Sequence, residues 1–170
     1  MKDSDVLVGA AIGFPLGQTT IDVKLYETQK AIEEGADEID YVHNIVALKS
    51  GKYDYVKKEM QEITELCRAE HKTIKVIFEN CYLTQEEKKI LCNIALDVGP
   101  DFIKTSTGFG SGGATVQDVS FMKACVGDTI QVKAAGGIRS LDDALRMIDA
   151  GATRIGTSAG VKIVEEFKAR

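Results

Sequence analysis

Two hydrophobic periods alternate along the chain. Short segments that are apolar at every second residue, or nearly throughout, fall at Val6–Phe14, Glu38–Val42, Thr73–Glu79, Phe102–Lys104, Ile130–Ala134 and Arg154–Gly156 and predict strands. Between them apolar residues recur at helical spacing, as at Leu141, Ala144, Leu145 and Ile148, and predict amphipathic helices. One phrase recurs where a helix gives way to a strand: Gly35-Ala-Asp-Glu-Ile-Asp40, Gly99-Pro-Asp-Phe-Ile-Lys104 and Gly151-Ala-Thr-Arg-Ile-Gly156. Its glycine suits the left-handed residue that closes a helix. Helix starts carry a hydroxyl followed three residues later by an acid: Thr19 with Asp22, Thr84 with Glu87, Thr115 with Asp118, and Ser140 with Asp143.

Six strands, each followed by a helix, predict an α/β fold with a parallel sheet covered by helices. Two architectures satisfy this alternation, a doubly wound sheet and part of a TIM (β/α)8-type barrel. No linker or low-complexity stretch interrupts the chain, so residues 1–170 are expected to form a single domain.

Composition narrows the function. With 44% hydrophobic and 28% charged residues, the 170-residue chain has the makings of one well-buried core. The net charge of -5 arises from acids and bases mixed along the sequence. That leaves no continuous cationic face, so nucleic acid is not an expected partner. No apolar stretch approaches the ~20 residues that span a bilayer. The start, Met1-Lys-Asp-Ser-Asp5, lacks the basic-then-apolar order of a signal peptide. The expectation is a cytoplasmic protein with no membrane partner. Cys67, Cys81, Cys92 and Cys125 stand singly, which suits reduced thiols rather than a disulfide framework. Cys67 and His71 have the spacing of a helical ligand pair, but with only two histidines and no second close pair no metal site is expected.

In parallel βα architectures the chemistry gathers at the carboxyl ends of the strands. The repeated phrase puts Asp40, Lys104 and Gly156 at matching strand ends, Lys133 ends the strand after that of Lys104, and Lys75 lies within the apolar run Thr73–Phe78. Any one of these lysines reads most simply as half of a rim salt bridge. Three of them with an aspartate predict a catalytic cluster, because charge within a parallel sheet is costly unless it is paired or used. Crowded ammonium groups favour a free amine, which attacks carbonyls to form a Schiff base, and Asp40 is the available proton carrier. Gly108, Gly110 and Gly113 spell GxGxxG within Thr107–Gly113. A dinucleotide site also needs an acid ending the next strand, where this chain has Val132-Lys133-Ala134, so the glycines suit close backbone approach to a ligand instead. Gly136, Gly137 and Arg139 after one strand, and Gly156 and Ser158 after the last, resemble the loops that hold phosphate in barrels and predict a phosphorylated substrate.

Four segments, Ile12-Gly-Phe-Pro-Leu-Gly17, Gly35-Ala-Asp-Glu-Ile-Asp40, Phe102-Ile-Lys-Thr-Ser-Thr-Gly108 and Val132-Lys-Ala-Ala-Gly-Gly-Ile-Arg139, resemble the deoxyribose-phosphate aldolase family nearly end to end. The resemblance implies reversible cleavage of 2-deoxyribose 5-phosphate to glyceraldehyde 3-phosphate and acetaldehyde. It implies Lys104 as the Schiff-base lysine, Lys133 as the lysine that perturbs it, Asp40 as the carboxylate of the proton relay and Lys75 as a further active-site lysine, without metal or cofactor. Gly136, Gly137, Arg139, Gly156 and Ser158 match the phosphate region, and Phe109 stands where some members carry a further lysine. Against the family pattern the first two βα units are lacking, which implies an incomplete barrel, as a fragment or a short form. Two rivals stay open: another sugar-phosphate barrel enzyme such as an isomerase, built on a carboxylate base, and an inactive fragment acting through self-association or a partner. A homo-oligomer is compatible with either.

Overall fold

The computed structural model describes residues 4–170; Met1-Lys-Asp, and with it most of the segment weighed against a signal peptide, lies outside the described residues. The chain divides into two compact units, Met1–Val76 and Ile77–Arg170.

In the first unit the order is β1 (Gly9–Ile12), α1 (Ile21–Glu33), β2 (Glu38–Val42), α2 (Ile45–Lys49), α3 (Tyr53–Ala69) and all but the last residue of β3 (Thr73–Ile77). β1 and β2 pair in parallel with Ala11 opposite Asp40. Its core includes a charged pair. Lys24 on α1 is fully buried, and its Nζ donates to the Val42 carbonyl and to Glu59 on α3, each at 2.7 Å. Glu59 also accepts the Asn44 N–H at 2.8 Å, so the end of β2 is tied to α3 through satisfied polar atoms. Burial pushes Lys24 down and Glu59 up from their ordinary values, each opposed by the other's charge.

In the second unit α4 (Gln85–Val98) leads into β4 (Phe102–Lys104), α5 (Val116–Val126), β5 (Gln131–Ala135), α6 (Leu141–Asp149), β6 (Arg154–Gly156) and α7 (Gly160–Lys168). β4, β5 and β6 run parallel, with Lys104 opposite Lys133 and Ala135 opposite Gly156. Apolar strand residues such as Ile103, Val132 and Ala134 are fully buried, as are Leu91, Val119 and Met122 from the helices.

Most helix-start signals act as anticipated. Thr84 and Glu87 form a complete capping box, and Thr115 and Ser140 accept the N–H groups of Asp118 and Asp143. Gly35, Gly99 and Gly151 all have positive φ, at 104°, 77° and 106°. The exceptions have local causes. The first strand is confined to Gly9–Ile12 because Val6 and Leu7 lie exposed outside the ladder and Gly13 turns the chain at φ 61°. Thr20 rather than Thr19 precedes α1, and its side chain makes no cap bond. β3 stops at Ile77 because Glu79 takes a left-handed backbone at φ 55°. β5 is displaced by one residue, to Gln131–Ala135. Cys67 is buried while His71 lies exposed beyond the end of α3 with φ 54°, so no helical face carries both. All four cysteines are free thiols. Among the described residues, no helix is long and apolar enough to cross a membrane.

Candidate active site

The carboxyl ends of β4, β5 and β6 open onto a pocket of about 410 Å³, a size typical of small-ligand sites. Lys104 and Lys133 line it from adjacent strands. Around them stand Thr107, Phe109, Gly136, Gly137, Arg139, Gly156 and Ser158. Seven of the residues singled out in the sequence, two lysines and all five phosphate candidates, therefore share one concavity.

Backbone contacts explain why the loops lie where they do. The Thr105 hydroxyl donates to the Ala135 carbonyl at 3.1 Å and sits the same distance from the Ala135 N–H, which clamps the end of β4 to that of β5. The Ala114 N–H reaches the carbonyls of Ala135 and Gly136 at 3.1 and 3.0 Å. This approach leaves no space at Gly113, where a Cβ would stand 2.3 Å from the Gly136 oxygen. Of the GxGxxG glycines, Gly113 thus serves backbone-on-backbone packing beside the pocket, Gly110 lies against the side chains of Cys81 and Glu79, and Gly108 lines the pocket at φ 92°. Thr157 donates to the Ile138 carbonyl at 2.6 Å, which stitches the two phosphate-candidate loops together. Arg139 gives its backbone N–H to Asp143 at 3.2 Å, leaving the guanidinium as the group it can offer an anion.

Gly156 has a second task. A Cβ there would lie 2.9 Å from that of Ala135 and 3.3 Å from Cε of Lys133, so the bare α-carbon is what lets the Lys133 side chain lie across the end of β6. Lys133 lies two residues before the end of β5 rather than at it, so its side chain has to reach forward to the pocket. Chemically, the pocket offers two primary amines on neighbouring strands, flanked by glycine loops whose N–H groups suit an anion.

In the first unit Asp40 meets Lys75, whose buried Nζ lies 2.8 Å from Asp40 and 2.8 Å from Glu38. Asp40 is itself buried, with 7% exposure. Glu38 was not singled out in the sequence, although alternation puts residues 38 and 40 on one face of β2. Two further residues were missed: Thr107, which lines the pocket, and Glu79, which is fully buried and holds Thr107.

Comparison with known proteins places this geometry in context. The DeoC/LacD family aldolase model matches residues 4–166. The chain is 60% identical to a deoxyribose-phosphate aldolase of Lactobacillus acidophilus, over 100% of this chain and 72% of that protein. It is 57% identical to one of Thermococcus gammatolerans, over 96% of this chain and 73% of that protein. Among solved structures, "QR15, an Aldolase" matches 98% of this chain and 75% of its own with 47% identity and a TM-score of 0.93. A deoxyribose phosphate aldolase from Aeropyrum pernix, described as tetrameric, matches 96% of this chain and 69% of its own with 36% identity and a TM-score of 0.88. The fold is accordingly α/β of the (β/α)8-barrel type, represented among the described residues by six βα units. With motif, pocket and likeness in agreement over nearly its whole length, the chain belongs to the DeoC/LacD family of aldolases.

Proposed function

We propose that the chain is a class I aldolase that reversibly cleaves 2-deoxy-D-ribose 5-phosphate to D-glyceraldehyde 3-phosphate and acetaldehyde. The supporting observation is the pairing of Lys104 with Lys133 across β4 and β5 in a pocket that also holds the glycine loops. Lys104 is the nucleophile. Its uncharged amine adds to the aldehyde carbon of the open-chain sugar, and loss of water gives a protonated Schiff base. That iminium draws in the electron pair of the carbon–carbon bond as it breaks, while a base takes the proton of the adjacent hydroxyl. Glyceraldehyde 3-phosphate leaves, the enamine gains a proton at carbon, and water releases acetaldehyde and restores the amine.

Lys133 is the second amine of the site, the one that perturbs Lys104, Asp40 is the proposed carboxylate of the proton relay, and Lys75 is a further proposed active-site lysine. Gly136, Gly137, Arg139, Gly156 and Ser158 receive the phosphate through backbone N–H groups, a hydroxyl and a guanidinium. A cytoplasmic location fits the four free thiols. Self-association is proposed from the relative described as tetrameric. The test is acetaldehyde release from deoxyribose 5-phosphate: Lys104→Ala should lower kcat by at least roughly 10³-fold, since it removes the lysine on which the Schiff base forms and leaves Lys133 as an amine outside the position of attack. A variant with wild-type turnover would refute the assignment.

A further inference from the structure

Glu79 is wholly buried, yet its backbone is left-handed, at φ 55° and ψ 61°. For a residue with a side chain that conformation is strained, because Cβ crowds the following carbonyl oxygen, and it persists only where the surroundings over-determine it. Here the neighbours on both sides are fixed. Phe78 N–H donates to the Lys104 carbonyl and Asn80 N–H to that of Thr105, both at 2.9 Å. The turn between them places the carboxylate beneath the loop that follows Lys104. Both of its oxygens accept the Thr107 N–H, at 3.2 and 3.3 Å, and Oε2 also accepts the Thr107 hydroxyl. Thr107 Oγ1 in turn accepts the Phe109 N–H at 3.0 Å. The loop rests directly on the carboxylate, since a Cβ at Gly110 would stand 3.1 Å from Glu79 Cδ.

We propose that Glu79 is a positioning residue of the Lys104 pocket, whose carboxylate takes both hydrogen-bond donors of Thr107 and so fixes the Thr107–Phe109 wall. Thr107 then has no donor left for the pocket. What its hydroxyl offers is a lone pair, which suits a hydroxyl of the substrate and repels a phosphate. The anion is thereby directed to the opposite loops, at Gly136–Arg139 and Gly156–Ser158. Only this orientation of the substrate rests on the aldolase reading; the fixing of the loop is measurable without turnover.

The first test is Glu79→Gln, whose amide presents an NH2 where the carboxylate had an acceptor. A cooperative melt is expected, with the amide hydrogens of Thr107 and Phe109 exchanging roughly tenfold faster or more. KM for deoxyribose 5-phosphate should rise on the order of tenfold to a hundredfold, because misplacing a wall of the pocket weakens alignment. Borohydride trapping of acetaldehyde on Lys104 should persist, which separates a positioning role from general disruption. Wild-type exchange at both amides together with a wild-type KM would overturn the proposal. Should the glutamine variant fail to melt cooperatively, Thr107→Val, which removes only the hydroxyl, decides in its place: faster Phe109 exchange and a raised KM support the proposal, and neither change sinks it. If the wild-type protein neither cleaves the sugar phosphate nor forms an adduct, the aldolase reading fails, while exchange at Thr107 and Phe109 still decides the role of Glu79.

Discussion

Lys133 passes close to the bare α-carbon of Gly156, a narrow clearance on which the proposed alignment of the two lysines depends. In Gly156→Ala the new Cβ meets the Ala135 Cβ and Cε of Lys133 at 2.9 and 3.3 Å, so the contact between β5 and β6 has to loosen and the lysine tip has to give by a few tenths of an ångström. We expect kcat/KM for deoxyribose 5-phosphate to fall by roughly tenfold, because the shift is well short of the ~1 Å misplacement that costs about a hundredfold, with the melting temperature changed by only a few degrees. Steady-state kinetics beside a thermal melt checks both; unchanged kinetics would show that Lys133 tolerates displacement. At this scale the sequence was informative where a residue broke the pattern around it. Lys75, Lys104 and Lys133 stood out because strands of a parallel sheet rarely carry charge. Glu79 did not, because a glutamate ending an apolar run signals nothing about a left-handed turn, and that turn is what brings it under Thr107. Glu38 was legible in principle, two residues before Asp40 on the same face, but looked like an ordinary polar opening to a strand.

Helix starts carry much of the agreement between pattern and structure. At α6 the Ser140 hydroxyl accepts the Asp143 N–H at 3.2 Å. Ser140→Ala should lower stability by about 1 kcal/mol, read as a drop in the denaturant midpoint at unchanged slope; no drop would remove Ser140 from the account of the cap. The Asp143 carboxyl is held down at about 2 by the Ser140 hydroxyl, the Arg139 N–H and Arg146. Its folded value lies below the ordinary 3.8, so its contribution is complete above that pH and is lost as pH falls toward about 2. Asp143→Asn should therefore flatten the decline of melting temperature across this interval. The difference should be small and shrink in salt, because the group is only half-buried and stays within reach of solvent. Equal slopes for both proteins would contradict it. Where element boundaries departed from the pattern, position-specific backbone was responsible. Gly13 and Glu79 end strands by adopting positive φ, and the short α2, capped by Asn44, lies in a stretch too brief for a helical period to declare itself.

For the molecule as a whole, the decisive clue was repetition. Three copies of one helix-to-strand phrase, each with a positive-φ glycine, established the βα alternation. The structure realises it in six strands with parallel ladders in each unit. The choice between a doubly wound sheet and a barrel was not legible from periodicity, because it depends on how βα units close rather than on how each one is made. The barrel type came from the motifs and from likeness to solved aldolases. The claim on which all else turns is that Lys104 captures an aldehyde as a Schiff base. Incubating the protein with acetaldehyde or deoxyribose 5-phosphate, reducing with borohydride and sequencing the peptides by mass spectrometry measures this directly. An adduct on Lys104 that vanishes in Lys104→Ala is the predicted result, and folded protein that yields no adduct on Lys104 would contradict the account.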